Sequence, residues 1–320
     1  MNFLQGTLAR PLQFNGVGLH SGKNIQLTVY PAPVNAGIYF QRVDLHNQPP
    51  ILAHPYNVSS TLLCTTIGSG QNKVSTIEHL MAALVGLGID NAFVCVNAEE
   101  LPILDGSAAP FVDQFLEVGI QRQKIERKIY SVKTPLVIKN KDQMMSLSPH
   151  SEENIKANKN SLIIDYTISF PHSPFIATQS CKYEINQKTF LEICEARTFC
   201  QYEDVTTMRA HGLALGGSLD NSIVVDNDKI LNNEPLRYKD EFVRHKLLDC
   251  VGDLGLLGGQ ISGELKVFKG GHALHAQFVE ALYERLLEEN IQVPSENTCD
   301  SIGDLLFQAK QAGMLVQASG

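Results

Sequence analysis

The chain runs through the same order of local patterns twice, and that order limits the architectures open to it. Stretches rich in β-branched and aromatic residues come first, at 26–33 (QLTVYPAP), 37–43 (GIYFQRV) and 61–68 (TLLCTTIG). A helical pattern follows at 74–88 (VSTIEHLMAALVGLG), then a strand at 91–98 and a turn running into a second helix within 101–119. The polar, charged run IQRQKIERK at 120–128 reads as a linker. β-like segments resume at 129–139, 143–149 and 161–170. Helices are then expected at 187–197 and 240–254, a strand at 263–270, and a long helix at 272–290 with apolar residues at helical spacing. Strands then helices, twice, favour an α+β architecture over a doubly wound parallel sheet.

An internal echo points the same way. Aligning 79–86 (HLMAALVG) with 245–252 (HKLLDCVG) superposes His79 on His245, Val85 on Val251 and Gly86 on Gly252, with Met81 opposite Leu247. Each half then carries a histidine at one place on its principal helix, as a duplicated fold with a site between its copies would. Composition sets outer limits. At 320 residues, 43% hydrophobic and 19% charged, the chain has ample material for a core. A net charge of −8 leaves no basic footprint for nucleic acid. The most apolar run, 80–89, is too short and glycine-punctuated to span a bilayer, and the first sixteen residues lack the form of a secretory signal. Seven cysteines, at 64, 95, 181, 194, 200, 250 and 299, are scattered and never spaced as CxxC, which suits a reducing compartment and makes the cytoplasm the default.

Three polar clusters stand out. In EFVRHKLLDCVGD (241–253), His245, Asp249 and Asp253 are four residues apart in succession and share one helix face, beside Leu247, Leu248 and Val251. Taken alone, a solvated face with local ion pairing is the simpler reading of them. In STIEHLMAAL (75–84), Ser75 and Glu78 fit a capping box, which would leave Glu78 a helix cap and His79 a satisfied core histidine. In GGHALH (270–275), glycines lead into a helix with His272 near its N-terminus, where backbone approaches closely and anions are favoured. A plain turn with two surface histidines is the simpler reading there. The clusters make more sense together. Catalytic zinc sites take three protein ligands and leave one position open. His245 and Asp249 offer two from one face, and His79 offers a third from the other half. Glu78, beside a ligand, is placed to take a proton from metal-bound water, and Asp253 to orient a histidine.

Six blocks stand in one order along the chain: STIEHLMAAL, LPILDGSAAPF (101–111), ARTF (196–199), GLALGGSLDN (212–221), LRYKDEFVRHKLLD (236–249) and GHAL (271–274). Over essentially the whole chain they resemble the family of zinc-dependent UDP-3-O-acyl-N-acetylglucosamine deacetylases of lipid A biosynthesis. The resemblance implies an α+β fold of two similar domains, 1–125 and 126–320, each a β-sheet packed on α-helices, with the active site at their interface. An insert near 198–222 is implied to form a passage for the fatty chain. One Zn2+ per chain is implied on His79, His245 and Asp249, with Glu78 as general base. His272 is implied to stabilise charge and protonate the leaving amine, oriented by Asp253, and Thr198 to steady the oxyanion. Phe199, Asp204, Gly217 and Lys246 match positions that contact the glucosamine or UDP, Phe170 an aromatic that packs on the uracil, and Leu63 and Cys64 positions near the acyl chain.

The implied reaction is hydrolysis of the N-acetyl group, with a zinc amidohydrolase acting on another acylated sugar or a peptide as the alternative. A purely structural metal, closed by four protein ligands, is the rival from outside enzymology. Because the implied substrate joins a nucleotide to a lipid, the expectation is a cytoplasmic monomer touching the inner membrane surface. Two departures from the family pattern are Cys200, where glycine is common, and the flanks of GGHALH.

Overall fold

The strand Asn24–Pro31 begins with alternating exposed and buried residues and is then buried from Leu27 to Tyr30, and it hairpins back from Leu12–Val17. The computed structural model describes residues 4–156 and 160–294. The first sheet has the order Leu12–Val17, Asn24–Pro31, Ala92–Val96, Ile38–Arg42, Ile51–Leu52. Neighbours are antiparallel except that Ala92–Val96 runs parallel to Ile38–Arg42. The second sheet repeats this arrangement: Leu136–Asn140, Gln143–Ser148, Gln260–Phe268, Leu162–Phe170, Ala177–Ile185, with Gln260–Phe268 parallel to Leu162–Phe170.

The helices are α1 (Glu78–Leu87), α2 (Ala109–Val118), the short α3 (Glu152–Lys156) and α4 (Gln187–Phe190), α5 (Tyr202–Ala210), α6 (Glu241–Leu254) and α7 (His272–Glu288). In each half the central strand is preceded by one long helix and followed by another: α1 and α2 about Ala92–Val96, α6 and α7 about Gln260–Phe268. The chain is thus α+β and made of two similar domains, each a sheet packed on helices. The echo between 79–86 and 245–252 falls on the matching helices α1 and α6. Both domains also insert a three-stranded sheet between the last strand of the main sheet and that helix. It comprises Val58–Ser60, Thr66–Ser69 and Asn72–Val74 in the first, and Phe199–Gln201, Ile223–Asp226 and Lys229–Ile230 in the second.

The two principal helices meet directly. A Cβ added at Gly252 of α6 would lie 2.1 Å from the Glu78 carbonyl oxygen of α1, so only glycine permits this approach. Leu80, Leu84, Val251 and Leu254 from the two helices belong to one continuous apolar core. Burial on this scale, at roughly 25 cal/mol per Å2 of apolar surface, is what holds the domains face to face.

Several local expectations change. Glu78 is the first residue of α1, after Ile77, and Ser75 instead donates through Oγ to Glu99 O, so no capping box forms. Thus Glu78 is free of the capping role. Segment 61–68 is not one strand: Leu63 takes a left-handed φ of 63°, and only Thr66–Ser69 pairs. The supposed linker contains the strand Ile120–Glu126, which pairs with Leu4–Leu8. Its partner is more than a hundred residues away, so local polarity gives no sign of it. The helix expected at 187–197 stops at Phe190; Asn186 caps it with Thr189 in a capping box, and the chain then turns until Glu241 captures Arg197. Strand Ala177–Ile185, rich in exposed polar side chains, was not anticipated. The expected second domain runs to 320, of which 295–320, including Cys299, lies outside the described residues; the six described cysteines are free. Among the described residues no helix is long and apolar enough to cross a membrane.

Candidate active site

The face of α6 carrying His245, Asp249 and Asp253 is not solvated. All three residues are at most 2% exposed, because α6 lies between α1, α7 and the second sheet. Facing them, Glu78 and His79 begin α1, both buried. His79 Nε2 lies 3.5 Å and His245 Nε2 3.4 Å from Asp249 Oδ1, and ligand atoms of the three residues all fall within 4.8 Å of one another.

The protonation pattern suits a cation among these three residues. His245 Nδ1 lies 3.0 Å from Ala196 O and donates to it, so Nε2 presents a lone pair. Burial drives the His245 pKa down to about 3, despite the opposing Asp249 charge. Burial alone would raise the Asp249 carboxyl, but His245 first, then Lys246 and His79, hold it well below the usual range. Asp249 Oδ2 takes a 3.0 Å bond from Lys246 Nζ, while Oδ1, aimed between the two imidazoles, is buried without a hydrogen-bond partner. A buried carboxylate oxygen set against two imidazole nitrogens and outside hydrogen-bond geometry is costly unless a cation sits among them. The donor set of nitrogen and oxygen fits a divalent metal.

An acid–base pair adjoins this trio. Burial raises the Glu78 carboxyl from its ordinary value, with the nearby imidazoles of His272 and His79 partly offsetting it. Glu78 Oε2 accepts from Thr65 N at 3.0 Å, and Oε1 lies 4.0 Å from His272 Nε2. Burial alone would lower His272, yet Asp253, with Nδ1–Oδ2 at 2.8 Å, outweighs it together with Glu78 and Asp249 and lifts the imidazole to about 9. Asp253 in turn is held at about 2, burial being outweighed by His272 and His275. His272 is therefore a charged imidazolium with its Nδ1 proton on Asp253 and its Nε2 toward Glu78 and Asp249.

The remaining expected residues divide into two groups. Phe199 packs 4.9 Å from Phe242, 5.7 Å from Phe170 and 6.3 Å from the His245 ring, with Lys246 Nζ 5.5 Å above it. These residues form an aromatic wall beside His79, His245 and Asp249. Thr198 sits two residues past the Ala196 carbonyl that orients His245, its backbone N donating to Gly106 O at 2.7 Å. Cys64 is buried next to Thr65, and burial, then the Glu78 charge, pushes its thiol up to about 12. Leu63 is nearly half exposed, Asp204 stands on the exposed side of α5, and the loop at Gly217 meets Leu19 of the first domain. Those three are not drawn into the buried cluster.

Sequence reasoning missed Thr65, whose Oγ donates to Asp253 Oδ1 at 2.6 Å, and His275, which is fully buried rather than on the surface. It also missed Glu241, buried under the ARTF loop with Arg197 Nε at 2.9 Å. The i, i+3 spacing of His272 and His275 was the one available signal.

Three convergent donors from two like domains, beside a raised carboxyl and a charged imidazole, are the equipment of a metal-dependent amide hydrolase. Residues 5–284 match the family model described as LpxC, UDP-3-O-acyl N-acetylglycosamine deacetylase. A protein of Teredinibacter turnerae named UDP-3-O-acyl-N-acetylglucosamine deacetylase is 43% identical over 283 residues, covering 88% of this chain and 90% of the relative. Proteins of the same name from Geobacter sp. (strain M21) and Citrifermentans bemidjiense are each 44% identical over 282 residues, covering 88% of this chain and 89% of each relative. The chain belongs to the UDP-3-O-acyl N-acetylglycosamine deacetylase family.

Proposed function

We propose that this protein removes the N-acetyl group of UDP-3-O-acyl-N-acetylglucosamine, releasing acetate and the free amine, as the committed step of lipid A biosynthesis. The observation that carries this reading is the unpartnered Asp249 Oδ1 between His79 Nε2 and His245 Nε2, in a chain that matches the family over most of its length. Zinc is the proposed metal, one per chain on His79, His245 and Asp249; when bound it would polarise the amide carbonyl and bring the pKa of water to roughly 7.

The chain's own groups then divide the work. Glu78, its carboxyl raised by burial, takes the proton of the attacking water. Thr198 steadies the developing oxyanion, a term worth ~3–4 kcal/mol for one well-placed donor. His272, protonated below about 9, gives its proton to the departing amine, and Asp253 holds the imidazolium in place. Lys246 and Phe199 flank the sugar and phosphates, and Phe170 packs on the uracil. Asp204 and Gly217 of the second insert make further substrate contacts. Leu63 and Cys64 line the acyl side, and the insert near 198–222 forms the passage for the fatty chain.

The domains divide near residue 126. The protein acts as a monomer in the cytoplasm, touching the inner membrane surface and binding no nucleic acid. The test is acetate release from the UDP-linked substrate and from its analogue lacking the nucleotide. Strong preference for the first is the expected result, whereas equal rates would favour an amidohydrolase acting on another acylated sugar or on a peptide.

A further inference from the structure

His275 was left without a task by the reaction above, yet it is fully buried, one turn after His272. Its Nδ1 lies 2.8 Å from Asp253 Oδ2, the same oxygen that His272 Nδ1 meets at 2.8 Å. Its Nε2 lies 3.1 Å from the hydroxyl of Tyr166, a fully buried residue of the strand Leu162–Phe170. Burial foremost keeps that phenol well above its ordinary pKa, so Tyr166 holds its proton and donates it to Nε2. An imidazole that accepts at Nε2 donates at Nδ1, and the tautomer of His275 is thereby fixed. Gly270 closes the pocket: a Cβ there would lie 2.4 Å from the Tyr166 hydroxyl and 2.9 Å from His275 Nε2. Backbone packs directly on the pair.

Asp253 is accordingly held by three donors from two parts of the fold: Thr65 of the first domain on Oδ1, and His272 and His275 of α7 on Oδ2. With Thr65 alone the carboxylate could still turn about its bond to Cβ. A second N–H on Oδ2, itself locked by Tyr166, removes that freedom.

We propose that His275 and Tyr166 are positioning residues for the deacetylation reaction, setting the plane of Asp253 and through it the aim of His272 at the leaving nitrogen. The assignment rests on the reading of His272 as the proton donor. Neither residue touches substrate. Their contribution is to keep the donor within the narrow geometry that proton transfer requires.

The experiment compares full-length His272→Ala, His275→Asn, His275→Phe and Tyr166→Phe with wild type in steady-state deacetylation, thermal unfolding and NMR of isotope-labelled histidine. His275→Phe is expected to lower kcat about tenfold and Tyr166→Phe about threefold, with KM nearly unchanged, as is typical when an orienting partner is lost. His275→Asn, whose amide keeps an N–H near Asp253, should recover most of the lost kcat. A bystander role in packing would instead lower stability without this split and without rescue by asparagine. Wild-type kcat in both His275→Phe and Tyr166→Phe, with His272→Ala crippled, overturns the proposal while leaving the role of His272 intact. Wild-type kcat in His272→Ala removes that role and the positioning assignment with it. Should His275→Phe not fold, Tyr166→Phe decides alone: reduced kcat with a loosened His275 tautomer supports the assignment, and unchanged values of both overturn it.

Discussion

Gly252 is where packing and catalysis share one contact, so Gly252→Ala is an informative perturbation. Its new Cβ would start 2.1 Å from Glu78 O, 2.9 Å from Glu78 C and 3.1 Å from Ala82 N. Those are backbone atoms within α1, so no side chain can swing aside. Ordinary carbon-to-oxygen approach needs ~3.3 Å, so α6 must back away from α1 by roughly 1.2 Å. Overpacking of this kind costs about 1–3 kcal/mol. The displacement falls on the helix pair that carries Glu78 and His79 on one side and His245, Asp249 and Asp253 on the other. Misplacement of about 1 Å can cost on the order of a hundredfold in rate. Chemical denaturation and kcat/KM measured on one preparation would check both figures. Wild-type stability together with wild-type activity in Gly252→Ala would refute the close-contact argument, because it would mean the helices tolerate the extra atom without moving.

Other expectations follow from the same geometry. Glu241→Gln leaves the buried Arg197 guanidinium with only the exposed Glu234, at 3.6 Å, as a carboxylate partner and frees the ARTF loop, at a cost of up to about 3–5 kcal/mol; an unchanged unfolding midpoint would contradict this. Glu78→Gln keeps the shape of the site and should lower kcat by ~100- to 10,000-fold while metal content stays the same, as parallel kinetics and metal analysis would establish. The pH profile of kcat/KM should be bell-shaped, falling at low pH as Glu78 gains a proton above the ordinary carboxyl range and at high pH as His272 loses one near 9. The same His272 shift is upward from 6.5, so its contribution to stability is fully present below that pH and disappears as pH rises through about 9. Unfolding free energies of His272→Ala and wild type should therefore converge at alkaline pH, and a constant gap would speak against the Asp253–His272 pair as its source.

What could be read from sequence was what one element's own periodicity determines. His245, Asp249 and Asp253 share a face because a single helix repeats every 3.6 residues, and that spacing needs no knowledge of neighbours. The alignment of His79 with His245 worked because it compares two copies of one helix, and both copies kept the position. Glu78 was found beside His79, but the capping box suggested for it does not form, since the helix starts at Glu78 itself.

Contacts that depend on strand register or on distant pairing left no such trace. Tyr166 reaches His275 only because Leu162–Phe170 lies beside Gln260–Phe268, which leads into α7. Ile120–Glu126 was read as a linker because its partner, Leu4–Leu8, is at the other end of the domain. Thr65 reaches Asp253 across 188 residues of sequence, from a loop whose left-handed Leu63 broke the strand expected there. Arg197 was assigned to a helix because its partner Glu241 lies 44 residues further on.

The central claim is that the two domains grip one divalent cation jointly, through His79 from the first and His245 and Asp249 from the second. Its most direct test is metal stoichiometry and affinity of wild type, His79→Ala and Asp249→Ala, purified without chelator and measured by elemental analysis and competitive titration. One ion per wild-type chain is expected, with affinity falling at least about tenfold in each variant, since each loses a ligand. A wild-type chain that takes up no ion, or a His79→Ala chain that binds it as tightly as wild type, would contradict a site shared between the domains.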